Sequence, residues 1–180
     1  MLEPGVIRHI EGTRFSLGFP RGGSSKRLEK LSAELIAGGL KAPVVENIRA
    51  ELWTKLLGNV CFNPLSALTR ATLGDLAGDA DVAPIVRTMM DETVAVATAL
   101  GITMEVSVDK RIDGARRVGA HKTSTLQDVE AGRPLEVECI IGAVVELARE
   151  LRIDVPALAQ TYALTKLLDR TVQRRFAVAA

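Results

Sequence analysis

Aromatic side chains are scarce in this sequence of 180 residues, of which they form 3%. Apolar residues nonetheless make up 47%, so the core must be built from leucine, valine, isoleucine and alanine, a composition that suits packed helices. No segment approaches the roughly 20 apolar residues that a membrane-spanning helix requires, and the N-terminus lacks the pattern of a signal peptide. We therefore expect a cytoplasmic protein with no membrane partner, organised as one domain or as one domain plus a fragment.

An excess of charge is also missing, because the formal net charge is +1 and the basic and acidic residues are interspersed. Without a basic stripe, the sequence predicts no nucleic-acid partner. The two cysteines, Cys61 and Cys139, lie within apolar helical patterns, which predicts small buried core residues in a reducing compartment. The sequence contains no CxxC motif or Cys/His cluster, so we predict no metal site.

Residues 1–46 combine short β-prone segments with one helical pattern. In order they predict a strand at 6–10, a hairpin turn, a strand at 14–17, a helix and a short strand at 42–45. The helix is marked by Leu28, Leu31, Leu35 and Ile36, which recur at helical spacing. Ser24 or Ser25 is expected to cap the helix, and Gly38–Gly39 to end it. The glycine-rich loop at 18–25 matches neither GxGxxG nor the P-loop pattern, so no phosphate-binding loop is predicted there.

Helical periodicity continues through residues 47–180. Predicted helices begin near Asn47 and then cover, in order, 82–100, 107–118, 121–131, 136–151 and a last segment from Pro156 onward. Pro64 should kink or restart the first of these helices, and a break is expected at 74–81. The buried face of the second helix is predicted at Ile85, Met89, Val96 and Leu100.

A polar stripe runs along the first of these helices, where Lys55, Asn59 and Asn63 are spaced at i, i+4 and i+8. Successive i+4 steps drift by only about 40° around a helix, so the three side chains can point the same way. One cation and two amides offer the hydrogen-bonding groups that a small polar acid needs. From these three residues alone, a solvated helix face is the favoured interpretation.

Two stretches carry a resemblance to a known family. The first is IRAELWTKLLGN at 48–59 with NPLSAL at 63–68, and the second is HKTSTLQD at 121–128 with GRPLE at 132–136. In order and spacing they resemble the C-terminal domain of ketopantoate reductases (2-dehydropantoate 2-reductases), and the likeness extends from Gly5 to about residue 170. It implies a mainly α fold, in which residues 47–180 form the multi-helix substrate-binding and dimerisation domain. Residues 1–46 would be a short β-β-α-β remnant that closes a Rossmann domain.

The resemblance also implies roles for single residues. Lys55 matches the catalytic lysine, which protonates the new hydroxyl and works near neutral pH only if burial or a nearby cation lowers the lysine pKa. Asn59 and Ser124 match substrate-binding residues. Glu136 matches a glutamate implicated in catalysis and ligand binding, with cofactor binding as a second candidate role. Without the resemblance, Ser124 would be read as a helix-surface or capping serine, and Glu136 as a first-turn carboxylate favoured by the helix dipole.

Three positions leave the details of substrate binding open. His121 stands where some family members have a substrate-contacting asparagine, and a histidine can still donate a hydrogen bond. Asn63 is a candidate substrate contact, although it could equally cap a helix restarted at Pro64. Leu73 stands where some members have another substrate-contacting asparagine, so no role is carried over to it.

The leading hypothesis is therefore the substrate-binding part of an NADPH-dependent 2-dehydropantoate 2-reductase, which makes pantoate on the route to pantothenate and coenzyme A. The expected partners are a small 2-keto acid, a Rossmann domain in cis or in trans that binds NADP, and a second copy in a homodimer. An unpaired sheet edge at residues 6–17 supports association with another chain. The alternatives are a reductase part acting on another branched 2-keto acid and a non-catalytic helical module for dimerisation or binding.

Overall fold

The computed structural model describes residues 5–6, 8–9 and 12–179, the last three by backbone alone. The chain divides into two compact units, Met1–Arg49 and Ala50–Ala180. The interpretation of residues 1–46 as the end of a nucleotide-binding domain remains a prediction.

Among its described residues, the first unit holds one helix, two extended segments and the first two residues of a second helix. Helix α1, Lys26–Ala37, begins where Ser25 Oγ accepts a hydrogen bond from Leu28 N at 3.2 Å, and Gly38 follows its last residue. The extended segments around residues 14–17 and 41–45 run parallel through isolated bridges, with Phe15 N donating to Lys41 O at 2.8 Å. A helix joining two parallel segments is the βαβ arrangement. The predicted first strand and hairpin turn include residues outside the described part of the chain.

The second unit is helical throughout, with no strand among its described residues. Its helices are α2 Ile48–Thr69, α3 Leu73–Gly78, α4 Ala83–Ala99, α5 Val108–Val118, α6 Ser124–Glu130, α7 Ala143–Leu151 and α8 Pro156–Ala179. The first two residues of α2 belong to the first unit. A single turn of π-helix, Glu138–Gly142 (the π-turn), leads directly into α7. Helix α4 is central, because it contacts α3, α5, α7 and α8. The mainly α fold predicted from the sequence is confirmed.

The core is aliphatic, as the composition predicts. Fully buried large side chains are Leu57, Leu76, Met89, Met90, Leu126, Ile141 and Leu158. Glu92 fixes the start of α8 against α4, since its carboxylate accepts hydrogen bonds from Ala157 N at 2.9 Å and Leu158 N at 2.8 Å. Of the described helices, none combines the length and the apolarity that crossing a bilayer requires.

Of the kink or restart predicted at Pro64, the restart is wrong. Helix α2 continues through the proline to Thr69, although proline removes one backbone donor from the helix ladder. Val60 and Ala67, on either side of the proline, are both fully buried, so packing offsets the lost hydrogen bond. Asn63 therefore lies inside α2 and does not cap a new helix.

Other boundaries also differ from the predicted ones. The break expected at 74–81 contains α3, because Thr72 and Asp75 form a reciprocal capping box at its start. Helix α6 begins at Ser124 and not at His121, because Thr123 Oγ1 accepts a hydrogen bond from Leu126 N at 3.2 Å and caps the helix. Glu136 lies just before the helical residue Val137, outside the first turn.

The burial predictions for Ile85 and Cys139 are wrong, and those for Cys61, Met89 and Val96 are confirmed. Ile85 is 47% exposed, because the buried face of α4 passes through its neighbour Val86. Cys139 is exposed, since it lies in the π-turn, where an extra residue shifts the 3.6-residue register. Cys61 is fully buried, and this burial raises the pKa of its thiol.

Candidate functional site

A cleft of about 340 Å³ opens in the second unit where five segments meet. Its walls come from α2, the start of α3, α5, the loop that leads into α6, and the segment around the π-turn. The lining residues are Lys55, Gly58, Asn59, Phe62, Asn63, Leu73, Arg111, His121, Thr123, Ser124, Glu136 and Ile140. Among the described residues, no cluster of histidine, cysteine, aspartate or glutamate could hold a metal ion.

The polar stripe of α2 runs from the solvent into this cleft. Lys55 is exposed, Asn59 is half-buried, and Asn63 is only 6% exposed. All three line the cleft, as their i+4 spacing predicts. The side chain of Asn63 makes no hydrogen bond with another described residue, and its amide atoms are not among the buried atoms that lack a partner, so its donors and acceptor are available to the cleft.

Another wall of the cleft includes a loop that is held in place by hydrogen bonds from the start of α3. Leu73 N donates to His121 O at 3.0 Å, Gly74 N donates to Gly119 O at 2.8 Å, and His121 N donates to Gly119 O at 2.7 Å. A β-carbon on Gly74 would lie 2.9 Å from the Gly119 backbone, so this close approach requires glycine. His121 therefore borders the cleft from the loop, and Ser124 borders it from the first residue of α6.

Glu136 is positioned by the backbone on either side of it. Asp169 in α8 accepts a hydrogen bond from Leu135 N at 3.0 Å, and Ile140 N donates to Glu136 O at 3.2 Å. The π-turn begins two residues later, and such turns are frequent at functional sites. The carboxylate of Glu136 is exposed at the cleft and makes no ion pair with another described residue, so it is available to a ligand.

Sequence reasoning missed one charged residue of the cleft, Arg111 in α5. Its guanidinium lies against Gly58 so closely that a β-carbon on the glycine would overlap it. Its Nε is buried without a hydrogen-bond partner. Burial lowers the pKa of the Arg111 guanidinium, and the nearby Cys61 opposes this effect. The only available signal in the sequence was a glycine in a helix interior, where glycine is unfavourable.

A model of the family described as "Ketopantoate reductase PanE/ApbA C terminal" matches residues 47–169. The chain belongs to the ketopantoate reductase family. It is 47% identical to a 2-dehydropantoate 2-reductase of Mesorhizobium japonicum over 92% of its own length, and 33% identical to one of Halobacterium salinarum over 93%. The crystal structure of the Methylococcus capsulatus 2-dehydropantoate 2-reductase superimposes with a TM-score of 0.85 at 36% identity, over 91% of this chain and 57% of that one.

The chain matches only part of the length of these ketopantoate reductases. The chain covers 51% of the Mesorhizobium protein and 56% of the Halobacterium protein. It therefore spans about half the length of the curated relatives that it matches. The shared half contains the whole of the cleft described above.

The ketopantoate reductase cleft brings together all six residues that the sequence singled out. They are Lys55, Asn59, Asn63, His121, Ser124 and Glu136. Their individual roles remain predictions. Two basic side chains, Lys55 and Arg111, line the cleft with one carboxylate, Glu136, and none of the three forms an ion pair with another described residue. This balance of charge suits a small anionic ligand.

Proposed function

We propose that this cleft binds a small 2-oxo acid, and that the chain is the substrate-binding part of an NADP-dependent 2-dehydropantoate 2-reductase. The reaction would convert 2-dehydropantoate to pantoate, for pantothenate and coenzyme A synthesis. One observation carries the proposal. Separate segments of a chain of this family place a cation, amides, a hydroxyl and a carboxylate around a single cleft, although nothing in a solvated surface would require these groups to meet.

The residues of the cleft match the demands of the chemistry. Reducing a 2-oxo acid needs a proton donor for the developing alkoxide and polar groups that hold the rest of the substrate. Lys55, which is exposed at the cleft, would donate that proton. Asn59, Asn63 and Ser124 would bind the carbonyl and hydroxyl oxygens, while Glu136 would accept a hydrogen bond from a substrate hydroxyl.

A cofactor must supply the hydride, and the residues of the cleft offer no site for the pyrophosphate of that cofactor. A dinucleotide-binding fold cradles that group at a glycine-rich turn on a helix N-terminus. The sequence contains no GxGxxG motif, and the first turn of α1 is capped by its own Ser25. NADP would therefore be bound by a Rossmann domain in cis or in trans, with contact to Glu136 as a second candidate role. A homodimer and a cytoplasmic location complete the proposal.

A second 2-oxo acid is the alternative that the cleft favours most. Leu73, Phe62 and Ile140 contribute apolar wall, and Leu73 lies where some relatives are expected to have asparagine. This wall would accept the branched alkyl group of a substrate that lacks the hydroxyl of 2-dehydropantoate. The convergence of polar groups gives the non-catalytic module no comparable support.

The test joins or mixes the chain with a nucleotide-binding partner and follows NADPH oxidation with 2-dehydropantoate. Lys55→Ala should lower kcat/KM by at least about a hundredfold, on the scale of a lost general acid. Lys110→Ala provides the control, because Lys110 is exposed on α5 and does not line the cleft. Near-normal turnover by the Lys55→Ala enzyme would remove the lysine from the mechanism, and steady turnover by the unpartnered chain would contradict the need for a second domain.

A further inference from the structure

Arg111 combines charge, burial and a lack of partners in a way that calls for a ligand. Its Nε has neither solvent nor a hydrogen-bond acceptor, and no carboxylate in the described part of the chain forms an ion pair with its guanidinium. Buried donors in folded proteins are nearly always satisfied. An arginine that served packing alone would be expected to contact a protein acceptor.

The position of this arginine requires a glycine in α2, and glycine destabilises a helix interior. Gly58 lies inside the helix, where glycine has a low propensity, and any larger residue there would overlap the guanidinium. Both residues line the cleft together with Lys55 and Asn59. The guanidinium is thus held against Gly58, the residue that precedes Asn59 in α2.

A second polar side chain of the cleft lacks a protein partner, although its amide, unlike the Arg111 Nε, is not cut off from solvent. Only 6% of Asn63 is exposed, and its amide has no hydrogen-bond partner among the described residues. The Nη groups of Arg111, which are not among the buried atoms without a partner, and the amide of Asn63 are thus both available at the cleft. A planar fork matches the two oxygens of a carboxylate, and an amide matches a neighbouring carbonyl or hydroxyl.

We propose that Arg111 binds the carboxylate of the 2-oxo acid, and that Gly58 is the residue that lets it do so. This inference rests on the proposed function and assigns the acid group of the substrate to a named side chain. It also divides the work between the two cations of the cleft. With the carboxylate on Arg111, the ammonium of Lys55 is left for the keto oxygen, where a proton is required. Arg111 is a substrate-binding residue that orients the substrate and transfers no proton.

The test measures binding to the full 180-residue chain by NMR, without turnover. The probes are 2-oxoisovalerate and its neutral primary amide, which differ in the carboxylate alone. The Nε–Hε signal of Arg111, assigned by its loss in Arg111→Lys, should move on addition of the acid and stay in place with the amide. Arg111→Gln should weaken binding of the acid by at least about tenfold, with little change for the amide.

The matched control is Arg117→Gln, which removes an exposed arginine of the same helix outside the cleft and should bind both probes like the wild type. If the acid shifts the side-chain signals of Asn59 and Asn63 but binds equally well to Arg111→Gln, the assignment of Arg111 is overturned and the proposed function stands. If neither probe affects any signal of the cleft in the wild type, the proposed function fails and the inference falls with it.

Discussion

Replacing Gly58 by alanine should separate stability from ligand binding. The new methyl group would overlap the guanidinium of Arg111. Because that group is the end of a flexible side chain, we expect it to move out of its position while the backbone of α2 remains unchanged. The Nε of Arg111 would then no longer be buried, and the cleft would lose the group that we propose binds the carboxylate.

The expected change in stability is small or favourable. Alanine in a helix interior is better than glycine by about 1 kcal/mol. Releasing a buried, unsatisfied Nε removes a penalty of about 1–3 kcal/mol, while the displaced side chain loses packing worth a similar amount. We therefore expect the free energy of unfolding to rise by between about 0 and 2 kcal/mol, with a shift in Tm of about 2–4 °C per kcal/mol for a chain of this size.

The assay pairs urea unfolding with titration of 2-oxoisovalerate. Gly114→Ala measures the helix-propensity effect alone, because Gly114 lies in α5 and a β-carbon there would contact nothing within 4 Å. Gly58→Ala should bind the acid at least about tenfold more weakly, and adding Arg111→Gln should weaken binding no further. Unchanged affinity, or a destabilisation beyond about 2 kcal/mol, would show that α2 and not Arg111 accommodates the methyl group.

Two further predictions concern stability. Glu92→Ala should lower the free energy of unfolding by about 2 kcal/mol, because it removes the acceptor of two backbone donors at the start of α8; Asp91→Ala, at an exposed neighbouring site, should have little effect in the same urea titration. The pKa of Glu138 is lowered from its ordinary value of 4.5, first by its hydrogen bond from Tyr162 and then by Lys166. Its contribution to stability is therefore complete above the unfolded pKa and is lost as the pH falls through the folded pKa. The urea midpoint of Glu138→Gln should lie below that of the wild type at neutral pH, and the two midpoints should approach each other in acid. A constant difference between the two midpoints at every pH would refute this assignment.

Local signals in the sequence determined where many helices begin and what they are made of. Ser25 and Ser107 cap α1 and α5, and Pro156 opens α8, because capping involves only the next two or three residues. The spacing of Lys55 and Asn59 likewise placed them on one face of a helix before any partner helix was known. The stretches around them were enough to identify the family.

Tertiary packing decided the remaining features, because they depend on residues distant in sequence. Pro64 stays within α2 since both of its flanks are buried by other parts of the unit, and no local rule for proline includes that burial. The position of His121 depends on α3, which binds the backbone of its loop. Arg111 occurs in a charged segment that is typical of a solvated helix face. Arg111 lines the cleft because its side chain packs against Gly58 of α2. The helical period of a sequence shows which residues share a face of a helix, but it does not show which other helix that face contacts.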